Sequence, residues 1–320
     1  MRKLSTISMA LVMGVSTAYA ADATQPKMFL NESASVGGYQ DSDLGFVAEL
    51  NGATNLLDDR HAAALQLAHG ENVNRVNLTY GTEIGDKSRV KVTGERLAEK
   101  QDYSFATGTQ EKWDGQNAVG ADYAYNLDQY LINDVGLGGY YTHSGSKYLE
   151  AQQNGFKDRN FYQPEIFGAH SGNLHANASA HLWVNSRLTA GVDYDAVNFS
   201  NTDDVDVKGF GGHARLEQLI IPSLKLTLDT QYRQSEHSYK GSLGWLVSSP
   251  KGMQAEVEAF TSYTNDLATD NDYNQTGLAL KFDFGVADEQ KGYSDLGSRE
   301  TLMDWTRDAS VHTTEVLSVS

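Results

Sequence analysis

Residues 223–233 alternate without a break. Leu224, Leu226, Leu228, Thr230 and Tyr232 fall on one face of an extended segment, and Lys225, Thr227, Asp229, Gln231 and Arg233 fall on the other. A two-residue period belongs to a β-strand whose two faces meet different surroundings. The same period sets Leu174, Ala176, Ala178, Ala180 and Leu182 against His175, Asn177, Ser179 and His181. It also sets Met253, Ala255, Val257 and Ala259 against Gln254, Glu256 and Glu258. Long helical periodicity is nearly absent after residue 33, and fourteen segments read as strands: 33–40, 43–52, 61–69, 73–84, 88–98, 116–127, 133–143, 172–183, 187–199, 208–219, 223–235, 239–247, 252–263 and 275–284.

Between these segments short and long connections take turns. Those at 85–87, 184–186, 220–222 and 248–251 are tight, whereas 99–115, 144–171, 201–207 and 264–274 are mostly long and polar. Tight turns at one end and longer loops at the other are the pattern of a barrel that crosses a membrane, and an even strand number returns both ends to the periplasm. The short connections at 70–72 and 236–238 fall on the long-loop side and depart from that rule. Pro26, Pro164, Pro222 and Pro250 all lie outside the expected strands, as the missing N–H of proline requires. On the expected lipid face, Tyr141, Tyr232, Tyr239 and Tyr263 gather at the long-loop end, and Tyr80, Tyr123, Tyr125, Trp245, Phe282 and Phe284 at the other. Two aromatic rings mark two membrane interfaces. A soluble β-sandwich needs no such rings, and a β-solenoid needs a fixed repeat, which is not visible.

The stretch 275–284, Gln-Thr-Gly-Leu-Ala-Leu-Lys-Phe-Asp-Phe, alternates and ends in aromatics. It resembles the terminal assembly signal of Gram-negative outer-membrane β-barrels. That resemblance implies an all-β, transmembrane, antiparallel up-and-down barrel of about 14 strands, with 12 as the alternative. Its partners would be outer-membrane lipids, lipopolysaccharide and the barrel assembly machinery. At the N-terminus, Arg2 and Lys3 precede the apolar run 7–15 and then Ala18-Tyr19-Ala20, so 1–20 reads as a cleaved signal peptide and 21–32 as a periplasmic segment. No run of 18 apolar residues follows, and a mean hydropathy of -0.47 suits a barrel as well as a water-soluble protein. With 0 Cys there is neither a disulfide framework nor thiolate chemistry. Loss of Arg2 and Lys3 from 25 basic residues leaves 23 against 42 acidic ones, a net charge of -19 that disfavours nucleic acid.

Strand parity places Arg75, Lys91, Glu95, Asp122, Arg187, Asp193, Asp195, Arg215, Glu217, Lys225, Asp229, Arg233, Glu256, Glu258, Lys281 and Asp283 inside the barrel. Facing lipid, each Arg or Lys near the midplane would cost about 2–4 kcal/mol. Arg215, Glu217, Lys225, Asp229, Arg233, Glu256, Glu258, Lys281 and Asp283 are the expected pore lining, serving as cross-strand ion pairs, as a charged filter with a weak cation preference, or as both. The function expected is a porin-like channel for small hydrophilic solutes or ions. The alternatives are a structural or surface-anchoring barrel with a filled lumen, and a lipase or protease at the rim.

Catalysis is not expected. His143-Ser144 and His170-Ser171 are adjacent pairs, and neighbouring side chains on a strand point to opposite faces. No metal or cofactor is expected either: Asp203, Asp204, Asp206 and His213, or Asp270 and Asp272, match no fixed ligand spacing, and His175 and His181 stand roughly 20 Å apart on one strand. After the closing strand, 285–320 reads as a periplasmic tail with a short helix from Ser298 to about Ala309. Leu302, Trp305 and Val311 would plug the inner mouth, or the tail would dock on a periplasmic partner.

Overall fold

The computed structural model describes residues 33–42, 44–56, 60–105, 108–127, 132–144, 147–148, 165–166, 169–182, 185–199, 207–233, 236–248, 252–266 and 271–286. They form β1 (Ser33–Asp41), β2 (Gly45–Leu56), β3 (His61–Gly70), β4 (Val73–Ile84), β5 (Ser88–Phe105), β6 (Gly108–Asn126), β7 (Asp134–Ser144), β8 (Lys147–Tyr148), β9 (Glu165–Ile166), β10 (Ala169–Ala180), β11 (Ser186–Phe199), β12 (Val207–Ile221), β13 (Leu224–Tyr232), β14 (Glu236–Ser248), β15 (Gly252–Asp266) and β16 (Asn271–Val286). β8 and β9 pair only with each other, and the other fourteen strands make one closed antiparallel barrel. Each of those fourteen coincides with a segment expected from the alternation, which settles the number at 14 rather than 12. β1 closes the ring on β16, in a register running from Ser33↔Asp283 to Asp41↔Gln275. The closing strand is thus the one that 275–284 announces.

Closure leaves no unpaired sheet edge, the condition for β-structure in lipid. The distribution of side chains is that of a membrane wall. Phe210 and Leu174 are 75% and 66% exposed on the outside, whereas Lys91 and Asp193 are 2% and 1% exposed within. A sheet folded against water would reverse this arrangement, because hydrophobic burial drives folding there. Among the described residues, no helix is long and apolar enough to cross a membrane. The outer surface carries both aromatic rings. Tyr141, Tyr232, Tyr239 and Tyr263 are exposed near one rim and Tyr80, Tyr123 and Trp245 near the other. Phe46, Tyr194 and Phe210 join the first ring, with Tyr194 and Phe210 5.0 Å apart. Tyr125 and Phe282 are only half-buried.

Ser33 and Val286 emerge at the same rim, termed inner here. Two turns need a left-handed residue and use glycine: Gly85 (φ 69°) between β4 and β5, and Gly45 (φ 77°) where β2 begins. Asp41 Oδ1 accepts from the Leu44 N–H at 2.9 Å to fold the second. Pro222 occupies the turn from β12 to β13, whereas Pro26, Pro164 and Pro250 lie outside the described residues.

The expected loop 99–115 is instead mostly strand. β4 stops pairing at Val73↔Glu99 and β7 at Gln116↔Ser144, yet β5 and β6 continue together to Phe105↔Gly108. The resulting ribbon stands roughly 20 Å beyond the wall, at about 3.4 Å for each of six residues. Backbone pairing alone satisfies its polar groups, so no apolar face is needed. Likewise β15 and β16 run on to Asp266↔Asn271, which shortens the expected loop 264–274. The expected signal peptide 1–20, the segment 21–32 and the tail with Leu302, Trp305 and Val311 lie outside the described residues.

Candidate functional site

The lumen has two unlike sides. On the first, polar side chains pair and become buried. Lys91 Nζ lies 2.9 Å from Asp122 Oδ2, and Asp122 Oδ1 lies 2.7 Å from His175 Nε2. Tyr140 Oη donates to Asp122 Oδ2 at 3.0 Å. Beyond His175, Asn173 Nδ2 donates to Asp195 Oδ1 at 2.6 Å, and Asp195 Oδ2 is 3.6 Å from Arg233 Nε. The network runs from β5 to the residue after β13. Other luminal pairs brace the same side: Arg187 with Asp134 at 2.9 Å, His213 with Asp193 at 2.8 Å, and Asn77 with Glu95 at 2.9 Å. A charge removed from water is tolerated only with such partners, which is why these residues occur as sets.

Small residues make the sets possible. Gly138 sits in register between Asp122 and His175, on the strand that separates them. A Cβ there would come within 2.6 Å of His175 Nε2, so the Asp122–His175 contact can cross β7 only over a glycine. Gly120 does the same beneath Tyr140, whose ring covers it.

On the second side, β12 to β16, Arg215, Asp229, Lys240 and Lys281 stay partly open, whereas Glu256 is buried and Glu217, Glu258 and Lys225 are mostly covered. Side chains of Arg215, Asp229 and Lys281 are 38%, 36% and 32% exposed within the barrel. Arg215 is 3.7 Å from both Glu217 and Asp229, Lys225 is 3.9 Å from Glu256, and Lys281 pairs with Glu258. Lys240, opposite Asp229 in register, stands 4.7 Å above the Phe260 ring, and Phe260 meets Tyr39 edge-on at 6.2 Å. Among the described side chains, the strip therefore combines four cations, Arg215, Lys225, Lys240 and Lys281, with four anions, Glu217, Asp229, Glu256 and Glu258.

Of the pore-lining residues expected from parity, Arg215, Glu217, Lys225, Asp229, Glu256, Glu258 and Lys281 come together on this strip. Arg233 does not: it reaches past β12 to Asp195 and is 2% exposed. Asp283 lies opposite Ser33 and Gln254 in β16, and its side chain is outside the described residues. Sequence reasoning missed Lys240, although it follows the lipid-facing Tyr239 and parity alone puts it inside. It also missed Glu49, 3.5 Å from Arg75, and Asp134 at the start of β7.

The enzyme and metal alternatives fare differently. His143 is exposed outward while Ser144 is buried inward, and Ser171 is likewise buried beside His170, so neither serine has its neighbour as a base. No cluster of three His, Cys, Asp or Glu side chains that could hold a metal exists among the described residues. Asp203, Asp204, Asp206 and Asp270 lie outside them, and Asp272 accepts from Tyr263 and Asn265.

A closed sheet with lipid-facing apolar residues outside and a charged lumen inside is an outer-membrane β-barrel. No protein-family model matches the chain, and no curated protein is significantly similar to it. Solved structures of similar shape include the CymD monoaromatic hydrocarbon channel, at 10% identity over 88% of this chain and 98% of that one, with a TM-score of 0.46. The Pseudomonas putida toluene transporter TodX matches at 9% identity over 85% and 96%, TM-score 0.45. The KdgM porin matches at 6% over 79% and 99%, TM-score 0.37. Likeness at this level says nothing of solutes, and the fold rests on the closure of the sheet itself.

Proposed function

We propose that this barrel is a porin-like channel of the outer membrane through which small hydrophilic solutes or ions diffuse passively. The observation that carries the reading is the charged strip on β12 to β16, where Arg215, Asp229, Lys240 and Lys281 stay partly open, beside a wall where Lys91, Arg187 and Asp193 are buried. Ion pairs that remain open to water contribute only about 0–1 kcal/mol each. The partly open Arg215–Asp229 pair therefore adds little to holding the barrel together, and its field remains available to a passing ion. Because cations and anions are equal in number among the described side chains of the strip, selectivity is weak. The reading requires no catalytic group, and transport is downhill.

The buried network from Lys91 to Arg233 favours a second reading, an anchoring barrel whose lumen is filled. Purified, refolded protein in a planar bilayer separates the two. The channel reading expects stepwise conductance in simple salt, and a silent membrane containing demonstrably folded barrel supports the filled lumen.

A further inference from the structure

The two His-Ser motifs, which catalysis does not use, become neighbours in the fold. His143 is the penultimate residue of β7, His170 is the second of β10, and the register sets them directly opposite each other. Both project from the outer surface near the outer rim, on the two strands between which the chain departs for residues 145–168. Their rings stack with centroids 4.5 Å apart and planes inclined by 18°. The two Nδ1 atoms are 3.2 Å apart, and Tyr141 Oη is 2.7 Å from His170 Nδ1.

An imidazole Nδ1 carries either one proton or one lone pair. His170 Nδ1 is approached by two polar atoms and can satisfy only one of them with a well-aligned hydrogen bond. Other described histidines have partners of other kinds. His61 has Tyr80 at 2.5 Å, His69 has Asn74 at 2.6 Å, and His175 and His213 face carboxylates. Two imidazole nitrogens and a phenol oxygen gathered round His170 Nδ1 form a donor set that a metal ion could use in full.

We propose that His143 and His170 supply two nitrogen ligands to a divalent transition-metal site on the outer rim, with Tyr141 Oη as a third donor and water completing the shell. Zinc–imidazole bonds of about 2.0–2.1 Å at a tetrahedral angle separate two nitrogens by roughly 3.3 Å, so the spacing already fits, and the two rings turn out of their stack to aim both in-plane lone pairs at one ion. Imidazole donors favour zinc, nickel or copper over magnesium or calcium, which take oxygen. The bound ion would fasten β7 to β10 at the base of the longest connection, independently of whether the barrel conducts.

Electron paramagnetic resonance of Cu2+ added to metal-free, folded barrel, together with calorimetric titration by Zn2+, tests the site. The expected spectrum contains a component with two coordinated nitrogens. His143→Gln and His170→Gln should each remove that component and the saturable Zn2+ binding, while heat-modifiable migration certifies that the barrels remain folded. A variant that does not fold is replaced by His143→Asn or His170→Asn, read in the same way. Tyr141→Phe should weaken Zn2+ binding without changing the nitrogen count, and excess Mg2+ should not compete. Absence of saturable Zn2+ binding in the native chain, unchanged binding in both histidine variants, or displacement by Mg2+ would overturn the proposal.

Discussion

Gly138 lacks a side chain at the point where Asp122 and His175 meet across β7, and this makes a strong demand on sequence at the scale of one residue. Gly138→Ala would force the ion pair apart or shift β7, at a cost of about 1–3 kcal/mol for an overpacked site. Urea unfolding of the barrel in detergent should show a lower midpoint. Gly94→Ala, where a Cβ meets nothing within 4 Å, should leave the midpoint nearly unchanged. Equal effects would mean that glycine acts through the unfolded chain rather than through room for the pair. On the open strip the expectation is electrostatic. Glu256→Gln with Glu258→Gln removes two of the four described anions, so reversal potentials across a salt gradient should move toward anion preference. An unmoved potential would take these two residues out of the filter.

At the scale of elements, the fourteen wall strands were legible because each separates lipid from a polar lumen, so alternation is enforced residue by residue along the membrane. Where both faces meet water the enforcement stops. The extension of β5 and β6 to Phe105 and Gly108 therefore left no periodic trace, and the polar 99–115 read as a loop. Arg233 was legible as luminal but not as buried, because its partner Asp195 lies two strands away and only the closed register brings them together. The outward histidine pair was hidden for a similar reason: 26 residues separate His143 from His170, and their contact follows from pairing across the long connection.

Two element-scale predictions follow the chain's ends and turns. Epitope tags at 155 or 270 should be labelled on intact cells and tags at 185 or 250 should not, and the reverse pattern would invert the barrel. Deletion of 287–320, beyond the last residue of β16, should leave a heat-modifiable barrel while raising its conductance. That outcome is the mark of a plug formed by Leu302, Trp305 and Val311. Unchanged conductance would rule out the plug, and loss of insertion would mean that 275–284 is not a sufficient closing signal.

For the molecule as a whole, the proposed channel is eccentric: buried polar pairs brace the wall from β4 to the residue after β13, and the proposed path follows the partly open charges on β12 to β16. The chain has 0 Cys, which allows each side to be addressed separately. Lys240 is exposed on the open side, and Thr93 is 1% exposed on the packed side. The direct test is single-channel recording of Lys240→Cys and Thr93→Cys barrels before and after an anionic thiol reagent. The account predicts stepwise conductance from both variants and a change on modification at position 240 alone. Silent membranes containing folded barrel, or equal modification at the two positions, would contradict it.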